Sequence, residues 1–241
     1  MRIEVQYGDG KETVLLPDAN VGDIVHPKDL PPLDEAAVLT SAFKAPLGPK
    51  TLDEFLERAK DVLVIVNDGT RPTPTGRILE QMMPVLQGKE VSYIIATGMH
   101  RAPTDEEYRF MFGPVYEKVK GSIIVHDSKT SETSYVGTSR NGTRLMVNRK
   151  VMDADRIIVI SSVEPHYFAG YTGGRKSFLP GVSAFETIEQ NHKLALRLEA
   201  QSLRLKGNPV HEDMEDMAKA LEDKRIFSVM VVLDKHHRIC H

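Results

Sequence analysis

"RIIVISSVEPHYFAGYTGGRKS" (residues 156–177) begins as a run dominated by Ile and Val and passes without a break into Pro, Gly, His, Arg and Lys. A run this uniformly β-branched reads as a strand covered on both faces, not as the alternation of a half-exposed strand. Three more runs have the same character: "VLVIVND" (62–68), "VSYIIATG" (91–98) and "SIIVHD" (122–127). Between them lie amphipathic segments at helical spacing, "TLDEFLERAK" (51–60), "TGRILEQMMPVL" (75–86) and "TDEEYRFMFG" (104–113). Strand alternating with helix predicts an α/β fold, a layered Rossmann-like domain whose mainly parallel sheet is flanked by helices.

Working outward, Asn141-Gly142 predicts a hairpin over 134–147. Ser183 and Glu186 have capping-box spacing and predict a long helix over 183–205, with Phe185, Ile188, His192, Ala195, Leu196 and Leu203 on its inward stripe. Asn208-Pro209 breaks that helix, and "VHEDMEDMAKALE" (210–222) starts another. Residues 1–50 read as a lead-in of short strands, such as "TVLLP" (13–17), and loops rich in proline (Pro27, Pro31, Pro32, Pro46, Pro49).

Composition narrows the class. Apolar residues at 41% and charged residues at 27% of 241 are those of a globular chain that buries a core. A net charge of −3 argues against nucleic-acid and membrane-surface partners, which favour basic excess. No apolar run is long enough for a membrane span, and the N-terminus lacks a signal-peptide pattern, so a cytoplasmic location is expected. The single cysteine, Cys240, excludes an intramolecular disulfide and a CxxC metal site. The sequence stops shortly after the strand-like "FSVMVV", so either it ends on a strand or it is a piece of something longer.

In open α/β sheets ligands bind beyond the carboxyl ends of the strands. Those ends are loaded here: "NDGTRPTPT" brings Asp68, Thr70 and Arg71, and "ATGMHRAPT" brings His100 and Arg101. "EPHYFAGYTGGRKS" brings His166, Gly173, Gly174, Arg175 and Lys176. Each feature alone has a plain structural explanation: a turn before a helix, a surface histidine, a hydrogen-bonded core histidine at 192. Together they suit two histidines acting as acid and base, and a lysine that pairs with phosphate or forms a covalent link. The glycine-rich stretch misses the phosphate-loop pattern, which needs glycine where Arg175 stands, although its backbone N–H groups can still meet an anion. His192 is a candidate metal ligand without an HxxxH partner, so its metal would need other ligands. A nucleotide- or anion-binding α/β module, phosphotransferase or non-catalytic, and a zinc site built from His100, His166 and His192 stay open on these residues.

The motifs "NDGTRPTPT", "ATGMHRAPTDEE", "SSVEPHYFAGYTGGRKSFLPGVSAFETIEQNH" and "GNPVHEDM", in that order over roughly residues 65–215, resemble the nickel-dependent lactate racemase family of 2-hydroxyacid racemases and epimerases. The resemblance implies a nickel-pincer nucleotide, pyridinium-3,5-bisthiocarboxylic acid mononucleotide, joined covalently to Lys176. It further implies His192 as the protein ligand of nickel, His100 and His166 as the acid/base pair, and Asp68, Thr70, Arg71, Gly173, Gly174 and Arg175 around cofactor or substrate. The implied reaction is an isomerisation of a small 2-hydroxyacid through a proton-coupled hydride shuttle. It also implies a C-terminal domain that closes the pocket and is missing from this sequence. On that basis residues 1–241 form the cofactor-attaching domain, inactive alone, with Lys176 free in hosts that do not make the cofactor.

Overall fold

In this computed structural model the described residues are 1–7, 10–25 and 30–241, so Pro27 of the proline-rich lead-in lies outside them. They fall into two units, Met1–Pro31 and Pro32–His241. The first is built on an antiparallel pair, β1 (Arg2–Tyr7) and β2 (Gly10–Leu15), with Arg2 opposite Leu15. The Met1 ammonium closes its end on the Leu16 carbonyl (2.6 Å) and the Asp18 carboxylate.

The second unit holds helices α1 (Glu35–Lys44) and α2 (Leu52–Leu56), then β3 (Asp61–Asn67), α3 (Thr75–Leu86), β4 (Glu90–Ala96), α4 (Asp105–Phe112), α5 (Tyr116–Val119) and β5 (Ile123–Val125). The hairpin β6 (Thr133–Thr138) and β7 (Arg144–Asn148) follows, then α6 (Arg149–Asp153) and β8 (Arg156–Ser162). A two-residue pair, β9 (Pro165–His166) and β10 (Gly170–Tyr171), leads into α7 (Arg175–Phe178), α8 (Phe185–Lys193), α9 (Pro209–Ala220) and β11 (Ile226–Val231).

The central sheet runs β11-β8-β3-β4-β5 with parallel pairing throughout. Side-chain alternation explains why its central strands carry unbroken apolar runs, residues 62–66 of β3 and 157–160 of β8. Val62, Val64 and Val66 of β3 join Ile158 and Ile160 of β8 on one face, against Leu56, Ile78, Met82 and Phe112. Leu63, Ile65, Ile157 and Val159 point to the other face, against Val147, Phe178, Ile188, Met214 and Met217. Each such side chain contributes about 1.5–3 kcal/mol on burial, and a strand covered on both sides collects it at every position.

The hairpin forms where expected: Gly142 takes φ +85°, and its N–H donates to the Ser139 carbonyl at 2.9 Å. Two expectations fail. The lead-in is not all strand and loop, because Asp34 accepts from the N–H groups of Ala36 and Ala37 and starts α1. The long helix over 183–205 stops at Lys193, and Leu196 and Leu203 of the supposed inward stripe are exposed. The capping box does not form there. Ser183 donates its hydroxyl to the Phe178 carbonyl (2.7 Å) and bridges to Val147, leaving Ala184 as the helix cap. No helix among the described residues is long and apolar enough to cross a membrane.

Candidate active site

Because β8, β3 and β4 are neighbours, the loops after their carboxyl ends share one edge of the sheet. Thr73 ties two of them together, donating to Asn67 Oδ1 at 2.9 Å and meeting Ser162 Oγ at 3.0 Å. Asp68 follows β3 and is buried. Its Oδ1 accepts from Thr70 Oγ1 (2.7 Å), and its Oδ2 lies 2.6 Å from His100 Nδ1. A carboxylate can only accept here, so Nδ1 of His100 carries a proton and Nε2 is the nitrogen left to face a ligand. The His100 side chain is 54% exposed, open to a ligand from the solvent side.

The loop after β8 doubles back. Thr172 and Glu164 close its neck, with Glu164 N–H donating to Thr172 Oγ1 and Thr172 N–H to the Glu164 carbonyl, both at 2.8 Å. Gly170 makes the turn at φ +77°, where a Cβ would collide with the Arg204 carbonyl. Gly173, at φ +106°, then feeds the chain into α7. The result brings Lys176 Nζ to 3.1 Å from His166 Nε2, although ten positions separate them in sequence. His166 Nδ1 accepts from the Ala169 N–H at 3.2 Å. Its ring stacks on Tyr167 at 4.7 Å and meets Phe168 edge-on at 4.6 Å; Phe168 in turn lies 5.3 Å from the His192 ring.

The electrostatics favour neutral forms. Burial, with Arg71 and Arg175 adding repulsion, pushes the Lys176 amine down to about 7. Burial followed by Lys176, Arg71 and His192 lowers His166 to about 4. Burial and the Lys176 charge lower His192 as well, with the Ile188 carbonyl opposing. Arg71, from the loop after β3, thus acts on two groups of the loop after β8. His192 Nδ1 is buried and finds no partner of hydrogen-bonding geometry.

Arg175 is engaged within the protein. Its Nε donates to His211 Nδ1 at 2.7 Å and its guanidinium also donates to the Tyr171 carbonyl at 3.0 Å, so it clamps the loop onto α9. His211 turns its other nitrogen to Glu215, 3.2 Å away. The sequence showed His211 in the first turn of a helix with Glu215 four residues on, but nothing local placed the pair against Arg175. Asn208, the cap of α9, likewise holds the Phe168 carbonyl at 2.8 Å. A zinc site from His100, His166 and His192 does not form: among the described residues no three His, Cys, Asp or Glu side chains gather to hold a metal. A groove of about 1060 Å³ between α1, α2 and the outer strand β11 contains none of these three histidines.

The family described as the lactate racemase N-terminal domain matches residues 7–203. The chain belongs to the lactate racemase family. The lactate racemase of Thermoanaerobacterium thermosaccharolyticum is 33% identical over 98% of this chain and 57% of its own length. That of Lactiplantibacillus plantarum is 31% identical over 86% of this chain and 50% of its own. The chain therefore spans about half the length of the curated relatives it matches. The structure of the apoprotein from T. thermosaccharolyticum superposes on all of this chain with a TM-score of 0.85, covering 58% of that protein. A crystal structure from Thermotoga maritima, 22% identical and covering 86% of this chain and 53% of its own, shares the fold with a TM-score of 0.72.

Proposed function

We propose that this chain is the cofactor-attaching domain of a 2-hydroxyacid racemase or epimerase, with Lys176 as the tether and His192 as the protein ligand of nickel. One observation carries the reading: a largely buried lysine amine, driven toward its neutral form, sits against His166 beside a histidine whose buried Nδ1 is unspent. An ordinary buried lysine is paired with a carboxylate, whereas this one meets a histidine and feels the repulsion of Arg71 and Arg175, which suits acylation rather than charge pairing.

The residues present fit the implied group. His192 offers one buried nitrogen, and among the described residues no three His, Cys, Asp or Glu side chains gather to hold a metal, which suits a metal held mostly by an organic pincer. Arg71 and the backbone around Gly173 and Gly174 supply the cationic and N–H groups that a nucleotide phosphate or a substrate carboxylate takes. When bound, the nickel-pincer nucleotide supplies a site that accepts and returns hydride at the substrate Cα. The protein's own work is proton handling. Asp68, backed by Thr70, holds His100 so that its bare Nε2 takes the hydroxyl proton. His166, on the other loop, bonded at Nδ1 to Ala169, carries a proton on Nε2 to return. Chain beyond residue 241, as in the longer relatives, would close this edge and exclude water.

The test is racemisation of small 2-hydroxyacids by the longer protein, loaded in cells that make the cofactor. Loss of turnover in His100→Ala and in His166→Ala, with cofactor still bound, supports the reading. Cofactor-loaded protein that interconverts no 2-hydroxyacid refutes it.

A further inference from the structure

The bond between Lys176 and His166 says more than that the two are close. A neutral imidazole has one N–H and one bare nitrogen, and the hydrogen bond made by one side fixes the other. The Ala169 backbone N–H points at His166 Nδ1, which must therefore be bare, so the ring proton is on Nε2. That Nε2–H lies 3.1 Å from Lys176 Nζ. An ammonium has no lone pair and could only set donor against donor, with Arg71 and Arg175 adding further positive charge. The alternative, an ammonium donating to a bare Nε2, would put a proton on Nδ1 against the Ala169 N–H. The single consistent arrangement is His166 Nε2–H donating to an uncharged amine.

We propose that the Ala169 N–H sets the tautomer of His166, that the resulting Nε2–H is spent on the free Lys176 amine, and that the untethered lysine thereby masks one half of the acid/base pair until acylation releases it. The release rests on the reading of Lys176 as the tether; the tautomer and the masking bond do not. On acylation by an activated acyl or thioacyl donor, the Nζ–C bond forms. The bond from that carbon to its leaving group breaks, the leaving group keeps the electron pair, and one Nζ proton passes to solvent. The product nitrogen is an amide or thioamide whose lone pair is delocalised, so it no longer accepts. His166 Nε2–H then has no internal partner and is available to a substrate oxygen. His100, with Nδ1–H on Asp68 and a bare Nε2, is set the opposite way. The two histidines thus start as one acceptor and one donor, and only the donor waits on the lysine.

The experiment is long-range proton–nitrogen correlation NMR on the chain labelled at histidine nitrogens, at slightly alkaline pH, with His166 assigned by its loss in His166→Gln. The expected result is a bare Nδ1 and a protonated Nε2 for His166, and the reverse for His100. In Lys176→Met, and in wild-type chain acetylated at Lys176 with acetic anhydride, the His166 tautomer should persist. Its Nε2–H should exchange with solvent faster by roughly five- to tenfold, the worth of one hydrogen bond. A protonated Nδ1 on His166 in the wild type would overturn the proposal even if no variant folds. So would Nε2–H exchange that is unchanged by both Lys176→Met and acetylation. None of these signals needs the cofactor, so they stand or fall separately from whether the longer protein carries a tethered cofactor.

Discussion

Replacing Lys176 by Met should make the protein more stable, and by an amount that depends on pH. The amine titrates at about 7 in the folded chain against 10.5 for an unperturbed lysine. Between those values the unfolded chain binds more protons than the folded one, so wild-type stability rises with pH through that window. Below it the cost of burying the lysine is fully present, and above it the cost is gone. Linkage across that gap sets the cost at no more than roughly 4 kcal/mol near pH 7.5 and roughly 1.4 kcal/mol near pH 9.5. Methionine fills a similar volume with no charge to desolvate. Urea unfolding of both proteins at both pH values reads the difference directly, and changes in packing cancel because they do not vary with pH. The advantage of Lys176→Met should shrink by up to roughly 2.5 kcal/mol between the two conditions. An advantage that is equal at both pH values, or absent at the lower one, would refute the claim that this amine is held neutral by its surroundings.

Other outcomes follow from the same geometry. Gly170→Ala forces a Cβ toward the Arg204 carbonyl at a positive φ and should cost about 2 kcal/mol or more in urea unfolding. Ile65→Ala, in the middle of β3 and fully buried, should cost about 2–5 kcal/mol in the same assay. In the cofactor-loaded longer protein, Asp68→Asn frees His100 from its carboxylate. It should slow racemisation by on the order of 10²–10⁴-fold, read from kcat with the folded fraction unchanged. His192→Ala should lose nickel on gel filtration, measured by metal analysis, while Lys176 stays modified.

Much of the fold is legible in the sequence because doubly covered strands leave a strong trace. Residues 62–66 and 157–160 are apolar at every position, and both faces of the sheet use them. Helix limits are less legible. The stripe from Phe185 to Leu203 has helical spacing, yet the backbone leaves the helix after Lys193, and Leu203 adopts φ +65°. Ser183 looked like a cap because its spacing to Glu186 is right, but its hydroxyl was already committed to Phe178. The start of α1 hid among prolines, although Asp34 caps it in the ordinary way.

The site is legible as a set of residues and not as a set of bonds. Glycines in the stretch 164–177 announce a chain that turns, and the turn at Gly170 is what joins His166 to Lys176. The partner of Arg175 is a histidine 36 positions away, which no local pattern reveals. The proton positions on His100 and His166 depend on one carboxylate and one backbone N–H, and they emerge only when the loops are folded.

The role proposed for Lys176 is to carry the cofactor. Intact-mass analysis with peptide mapping of the longer protein, produced in cells that make the nickel-pincer nucleotide, tests it most directly. A mass addition on Lys176 is expected, with nickel retained in the wild type and lost in His192→Ala. Nickel-competent protein recovered from such cells with Lys176 unmodified would contradict it.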